Sequence, residues 1–423
     1  MRNAKKIVPI ALLAAIAVAL AGCSSGSSSS GNAASAGSSG RGPITYVQGK
    51  DNSDVVRPLL DKWNASHPKE KATFKEQTTE ANQQRDDLVQ NFQAKNASYD
   101  VMSVDVVWTA EFAAKGWLQP LEGSYALDTS GMLPATVKAA TYQGKLYAAP
   151  QSSDGGILYY RKDLVPTPPK TWDELLKDCA IAKANNIGCY AGQFADYEGL
   201  TVNAAEAINS AGGTIIDKAG KPTLNTPEAK AGLQNLVTGF SDGNIPKEAI
   251  TFKEEDGRLA FEGGKLLFLR NWPYVYNLAK TDGASTVKDT FGMTALPGKS
   301  GPGASSLGGH SSAISVYSKN KATAVDFLKF MTSEETQKFF ATKGSLAPVL
   351  TKLYDDPALV TQLPYLPVLK TSIQNAVPRP VTPFYPAVTK AIADNTYAAL
   401  QGQKSVDAAL SDMQKSIESA GSQ

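Results

Sequence analysis

The chain has 423 residues, 42 basic and 40 acidic side chains, and only two histidines, His67 and His310. A near-neutral balance offers no bulk attraction for nucleic acid or anionic lipid, and two histidines leave almost no material for a zinc site or a histidine-based triad. A chain of this length supports two domains with ample core.

Arg2, Lys5 and Lys6 precede an apolar run over residues 7–21. That run is short for a membrane span and suits the apolar region of a secretory leader. It ends Leu20-Ala21-Gly22-Cys23, which resembles the bacterial lipoprotein signal. The resemblance implies that residues 1–22 are removed and that Cys23 is diacylated to become the anchored N-terminus. Each buried acyl CH₂ favours the membrane by roughly 0.8 kcal/mol, so several chains hold firmly. Residues 24–42 are almost wholly Ser, Gly, Ala and Asn, so 23–42 is expected to be a flexible tether. No later apolar run is long enough to span. Cys179 and Cys189 remain, and outside the cytoplasm they are expected to pair. Closing so short a loop stabilises by roughly 2–3 kcal/mol.

Residues 44–47 read as a first strand, followed by a polar turn holding Asp51 and Asn52. Val55, Val56, Leu59, Leu60 and Trp63 follow at helical spacing. Strands are expected at 72–76 and 100–105, with helices at 85–95 and after Asp105. This alternation predicts a parallel α/β sheet, with Asp51, Asn52, Asp105 and Trp108 gathered beyond its strand C-termini. Further strands are expected at 145–150 and 156–160, separated by residues 151–155 (QSSDG). Thr171 and Glu174 form a capping box for the next helix. Phe194, Tyr197 and Glu198 precede an Ala-rich helix, and 226–240 is amphipathic. Residues 266–269 are a short buried strand running into Arg270, Asn271, Trp272, Pro273 and Tyr274. A Trp at such an edge, held by a rigid scaffold, is a candidate binding residue. Tandem glycines at 308–309 open another strand, and helices follow to the C-terminus.

Five stretches together resemble the extracellular solute-binding proteins that serve sugar-importing ABC transporters: DVMSVDVVWTAEFAAKGWLQPL from Asp100, GKLYAAP with ILYYRKDL from Gly144, PPKTWDELL from Pro168, RLAFEGGKLLFLRNWPYVY from Arg258, and LGGHSSAISVYSKNKATAVDFLKFMTS from Leu307. The first and fourth look most like trehalose/maltose-type binders. The resemblance implies a periplasmic-binding-protein-like α/β fold of two lobes, a hinge crossed three times and a ligand cleft between. It places residues 43–150 with 301–332 in an N-terminal lobe, and 151–300 with 333–423 in a C-terminal lobe. The crossings are expected near Pro150, Gly301 and Thr332. It implies a lipid-anchored monomer on the outer face of the cell membrane that closes over sugar and docks on the transmembrane subunits of a permease, with no cofactor and no nucleic acid.

By the same resemblance, Trp272 stacks on a sugar face and Asp105 accepts sugar hydroxyls. Asp154 is the acid after the crossover strand. Gly308 and Gly309 let backbone approach the ligand, with His310 where an aromatic residue is usual. Arg379 reaches the cleft from near the C-terminus, and Glu254 or Glu255 adds a carboxylate. Asp51, Asn52 and Tyr197 join by location. The chemistry agrees: an aromatic ring covers the CH-rich face of a sugar, and ionised groups bond its hydroxyls. Two other functions compete. A glycoside hydrolase needs two carboxylates at a defined separation. A surface lipoprotein for a non-sugar ligand needs no such site.

Overall fold

The computed structural model describes residues 40–217 and 220–422. The leader, Cys23 and all but the last residues of the tether lie outside the described residues. The strands in chain order are β1 (Ile44–Gln48), β2 (Ala72–Glu76), β3 (Val101–Asp105), β4 (Thr141–Tyr142), β5 (Lys145–Leu146), β6 (Ala148–Asp154), β7 (Ile157–Arg161), β8 (Gly188–Ala191), β9 (Leu266–Asn271), β10 (Phe291–Ala295) and β11 (Gly308–Ile314). They form a five-stranded sheet in the order β2-β1-β3-β11-β6, a four-stranded sheet in the order β10-β7-β9-β8, and the β4-β5 hairpin.

The helix Val56–Ser66 joins β1 to β2 and buries Val56, Leu59, Leu60 and Trp63, the apolar stripe seen in the sequence. β1 therefore runs parallel to β2 and β3. The expected all-parallel sheet is corrected by β11, which is antiparallel to both β3 and β6. The second sheet is mixed too: β7 is antiparallel to β9 and β10, and only β8 and β9 are parallel. The physical reason is connectivity, because a chain that returns from the second sheet can enter the first from its opposite end.

A second correction concerns residues 151–155, expected as a separating loop. Pairing with β11 extends β6 through Asp154, opposite Gly308, with an irregularity between His310 and Ser311. The chain thus passes from the first sheet to the second at Gly155 and Gly156. It returns between Ala295 and Gly308. β9 is likewise longer than expected, since Arg270 and Asn271 pair with Leu158 and Ile157. Each sheet has its own core. Tyr46, Trp63 and Phe327 pack on the first, and Leu158, Phe261 and Phe268 on the second. The helix Glu334–Gly344 touches both, through Phe340 and Ala341 respectively.

Thr171 caps the helix Trp172–Ala184, with both capping-box bonds to Glu174 formed. That helix carries Cys179, which is bonded to Cys189 on β8. Both cysteines sit in the core of the second sheet. Replacing both cysteines by serine is expected to lower the unfolding free energy by roughly 2–3 kcal/mol in a urea titration, from the loop-closure term alone. A loss below about 1 kcal/mol would show that the bond contributes little to this fold.

Candidate ligand cleft

The ends of five strands converge on one cleft. Turning out of β1, the chain supplies Asp51 and Asn52, while Asp105 ends β3 and Asp154 ends β6. Gly308, Gly309 and His310 begin β11, and Trp272 follows β9. Tyr197 stands at the start of the helix Glu198–Ser210, Glu254 at the start of the helix Glu254–Glu262, and Arg379 before the helix Tyr385–Leu400. Eleven of the twelve residues expected from sequence line this cleft. Glu255 does not. It accepts from the Tyr274 hydroxyl at 2.5 Å and pairs with Arg258 at 2.8 Å, because adjacent helix positions face different ways. Trp108 is also absent from the lining; it is buried and packs against Phe112.

Both glycines of the tandem are required by space. A Cβ at Gly308 would stand 2.7 Å from Cζ3 of Trp272. At Gly309, φ is +107° and a Cβ would meet the Ser152 carbonyl oxygen at 2.2 Å. The Trp272 ring therefore lies against bare backbone at one edge. On one face it carries the Arg270 guanidinium, whose carbon is 3.9 Å from the ring centroid. Asn271 fixes the turn beneath it by donating to the Glu254 carbonyl at 2.9 Å and accepting from the Trp272 N–H at 2.8 Å.

The charged groups form a compensated cluster. Arg379, only 5% exposed, donates to Asp105 at 3.2 Å and bonds Glu198. Glu198 also accepts from the hydroxyls of Tyr385 and Thr389, both at 2.5 Å. His310 sits opposite Asp105 in the β3–β11 register. Burial lowers its pKa, Asp105 partly restores it, and Arg379 opposes the proton again. The Tyr197 hydroxyl donates to Glu254 at 2.7 Å. Burial raises the pKa of Glu254 against that bond. Asp51 spends an oxygen on the Val56 N–H at 2.7 Å, capping the first helix as well as facing the cleft. The floor is polar: Gln151 donates to Gln48 at 3.2 Å and accepts from Ser312 at 2.8 Å.

Sequence reasoning missed Glu198, Gln48, Gln151 and Tyr274 among the lining residues. Glu198 was noted only as preceding an Ala-rich helix, and an acid in a first helical turn, where the structure places it, is favoured by the helix dipole alone. Only its position between Tyr197 and a buried helix face hinted at more. A second cavity of about 1000 Å³ borders Trp172, Asn203, Glu206 and Leu296 and contains none of the expected residues.

Two mixed α/β lobes with such a cleft define a binding protein of the periplasmic type. Residues 48–338 match the family model for bacterial extracellular solute-binding proteins, and the chain belongs to that family. A relative described as a probable ABC transporter-binding protein, from Deinococcus radiodurans, is 35% identical over 77% of this chain and 80% of its own. A mannitol-binding protein of Pseudomonas aeruginosa is 26% identical over 86% of this chain and 90% of its own. Among solved structures, maltose-bound MalE3 of T. maritima superposes with a TM-score of 0.84 at 32% identity, covering 89% of this chain and 99% of that one. Solute-binding proteins of this family are not enzymes, and these likenesses indicate no enzymatic family.

Asp154 is displaced far from its ordinary behaviour. Burial first, and the nearby Asp105 charge second, push its pKa from 3.8 to about 7, with Arg270 opposing. Between those values the unfolded chain has released a proton that the folded carboxyl still holds. The group therefore draws stability down as pH rises through the window, and acts constantly above it. Asp154→Asn should gain on the wild type from pH 5 to 7 in urea titrations, and the gain should level off by pH 8. A pH-independent difference would mean that Asp154 ionises normally.

Proposed function

We propose that the chain is the substrate-binding component of an ABC importer, capturing a di- or oligosaccharide of trehalose or maltose type by closure of its lobes and delivering it to permease subunits. The observation that carries this is the Trp272 ring, backed by Arg270 on one face and lining a cleft of carboxylates and one arginine. An aromatic plane beside ionised acceptors and donors suits a ligand with CH faces and an equator of hydroxyls. The acids disfavour phosphate esters, and Arg379 already neutralises part of the negative charge that would draw a polyamine. The maltose-bound neighbour and the mannitol-binding relative support a sugar or polyol, and the Deinococcus relative supports the importer.

The lobes in this proposal comprise residues 43–150 with 301–332 and 151–300 with 333–423, shifted by the few residues of β6 that stay in the first sheet. Cys23 and its Ser/Gly tether anchor a monomer to the outer face of the membrane. Among the described residues no helix is long and apolar enough to cross a membrane.

Calorimetric titration of residues 43–423 against trehalose, maltose, sucrose, cellobiose, longer glucans, monosaccharides and mannitol tests the proposal. One ligand of the panel should bind tightly, and Trp272→Ala should weaken it by roughly 30-fold or more, the loss of a 2 kcal/mol anchor. Undiminished binding by the variant would remove Trp272 from the site. A wild type that takes no member of the panel would remove sugars and polyols from consideration.

A further inference from the structure

Glu206 and Arg270 meet directly behind the cleft without lining it. Two parallel bonds of 2.6 Å join them, with their side chains 5% and 1% exposed. Arg270 also donates to Gln193 at 2.8 Å, and the Gln193 amide returns a bond to the Arg270 carbonyl at 3.1 Å. The guanidinium plane has no freedom left, and the Trp272 ring is stacked on it. Cation–π contacts of this kind strengthen when desolvated.

The carboxylate has a second set of partners, Ser305 and Ser306, in the passage that returns from the second sheet to the first. Glu206 accepts from the Ser306 N–H at 3.0 Å, and the Ser305 hydroxyl lies 3.5 Å from the same oxygen. That hydroxyl accepts from the Gly156 N–H at 2.5 Å, while the Ser372 hydroxyl donates to the Gly156 carbonyl at 2.6 Å. Gly156 is pressed onto the ion pair itself. A Cβ there would stand 2.7 Å from Glu206 Oε1 and 3.0 Å from Arg270 Nη2. One carboxylate thus holds the base of the Trp272 ring, bonds one passage at Ser305–Ser306 and lies against a second at Gly156.

We propose that Glu206 and Arg270 are positioning residues: they fix the Trp272 plane for the sugar and couple it to the hinge at Gly156 and Ser305–Ser306. The inference rests on Trp272 as the sugar platform. A shift of the returning passage alters the donors to Glu206 directly, and Gly156 reaches them through the Ser305 hydroxyl; a buried carboxylate that loses a donor must be compensated by Arg270, whose plane carries the ring.

A double-mutant cycle with maltose and trehalose as probes tests it. Glu206→Gln should weaken binding about tenfold or more in the wild-type background, and less than twofold when Trp272 is already Ala. Arg270→Lys, which keeps charge but not the planar fork, should behave as Glu206→Gln. Without ligand, both variants should lose the same near-ultraviolet circular dichroism band that Trp272→Ala loses. Ser305→Ala leaves the ion pair and that band in place, but should reduce the fraction closed at saturating sugar, read by energy transfer between dyes on the two lobes. Equal losses in both backgrounds, or a Trp272 band unchanged in Glu206→Gln, would overturn the positioning role. If Glu206→Gln does not fold, unchanged closure in Ser305→Ala overturns the coupling. A wild type that binds neither probe defeats the sugar assignment instead, and the ligand-free band still decides the positioning.

Discussion

The buried pairing of Arg270 with Glu206 is the constraint on which the site depends. An unpaired guanidinium at that depth would cost several kcal/mol, so the strand that carries it and the helix that answers it must stay in register. The pair sits at the end of β9, where the chain turns out of the second sheet. Trp272 inherits its orientation from that turn, with Asn271 tied to the Glu254 carbonyl and the Trp272 carbonyl tied to the Tyr159 hydroxyl. A stacking ring is useful to a ligand only if its plane is set beforehand, since ordering a large side chain at the moment of binding subtracts from affinity.

Across the cleft the same principle works through charge. Asp105, Asp154 and Glu198 crowd around Arg379 and Arg270, and burial penalises ionised Asp154 and Glu198. Their environments differ. Glu198 is enclosed by one arginine and two hydroxyl donors, whereas Asp154 faces the repulsion of Asp105. Glu198 is thereby a structural strut that aims Arg379. A neutral ligand rich in hydroxyls is the natural complement to acceptors held apart by their own repulsion. The glycines at 308 and 309 complete the shape by removing the side chains that would collide with Trp272 and with β6.

Much of this was legible in the sequence because it is written in local patterns. The apolar stripe of the first helix, the Thr171–Glu174 box and the strand ends bearing Asp105 and Trp272 each follow from spacing, capping chemistry or turn residues. The family resemblance brought the distant pieces Asp154, Gly308, Gly309 and Arg379 together, which no periodicity could do. The choice between Glu254 and Glu255 stayed open because two adjacent acids at a helix start are equivalent in sequence, and only helical phase turns Glu254 to the cleft and Glu255 to Tyr274 and Arg258. Arg270 and Glu206 were unreadable as a pair. They lie 64 positions apart, and each alone looks like a solvated charge.

The sequence by itself determined the class of elements, the two-lobe family and the kinds of side chain the cleft would hold, since these depend on short-range pattern and on residue chemistry. The tertiary structure alone decided the antiparallel entry of β11, the length of β6 and β9, and which charges are buried together. Those features arise where segments far apart in the chain compete for the same hydrogen-bond donors and the same desolvated space, and that competition has no local signature.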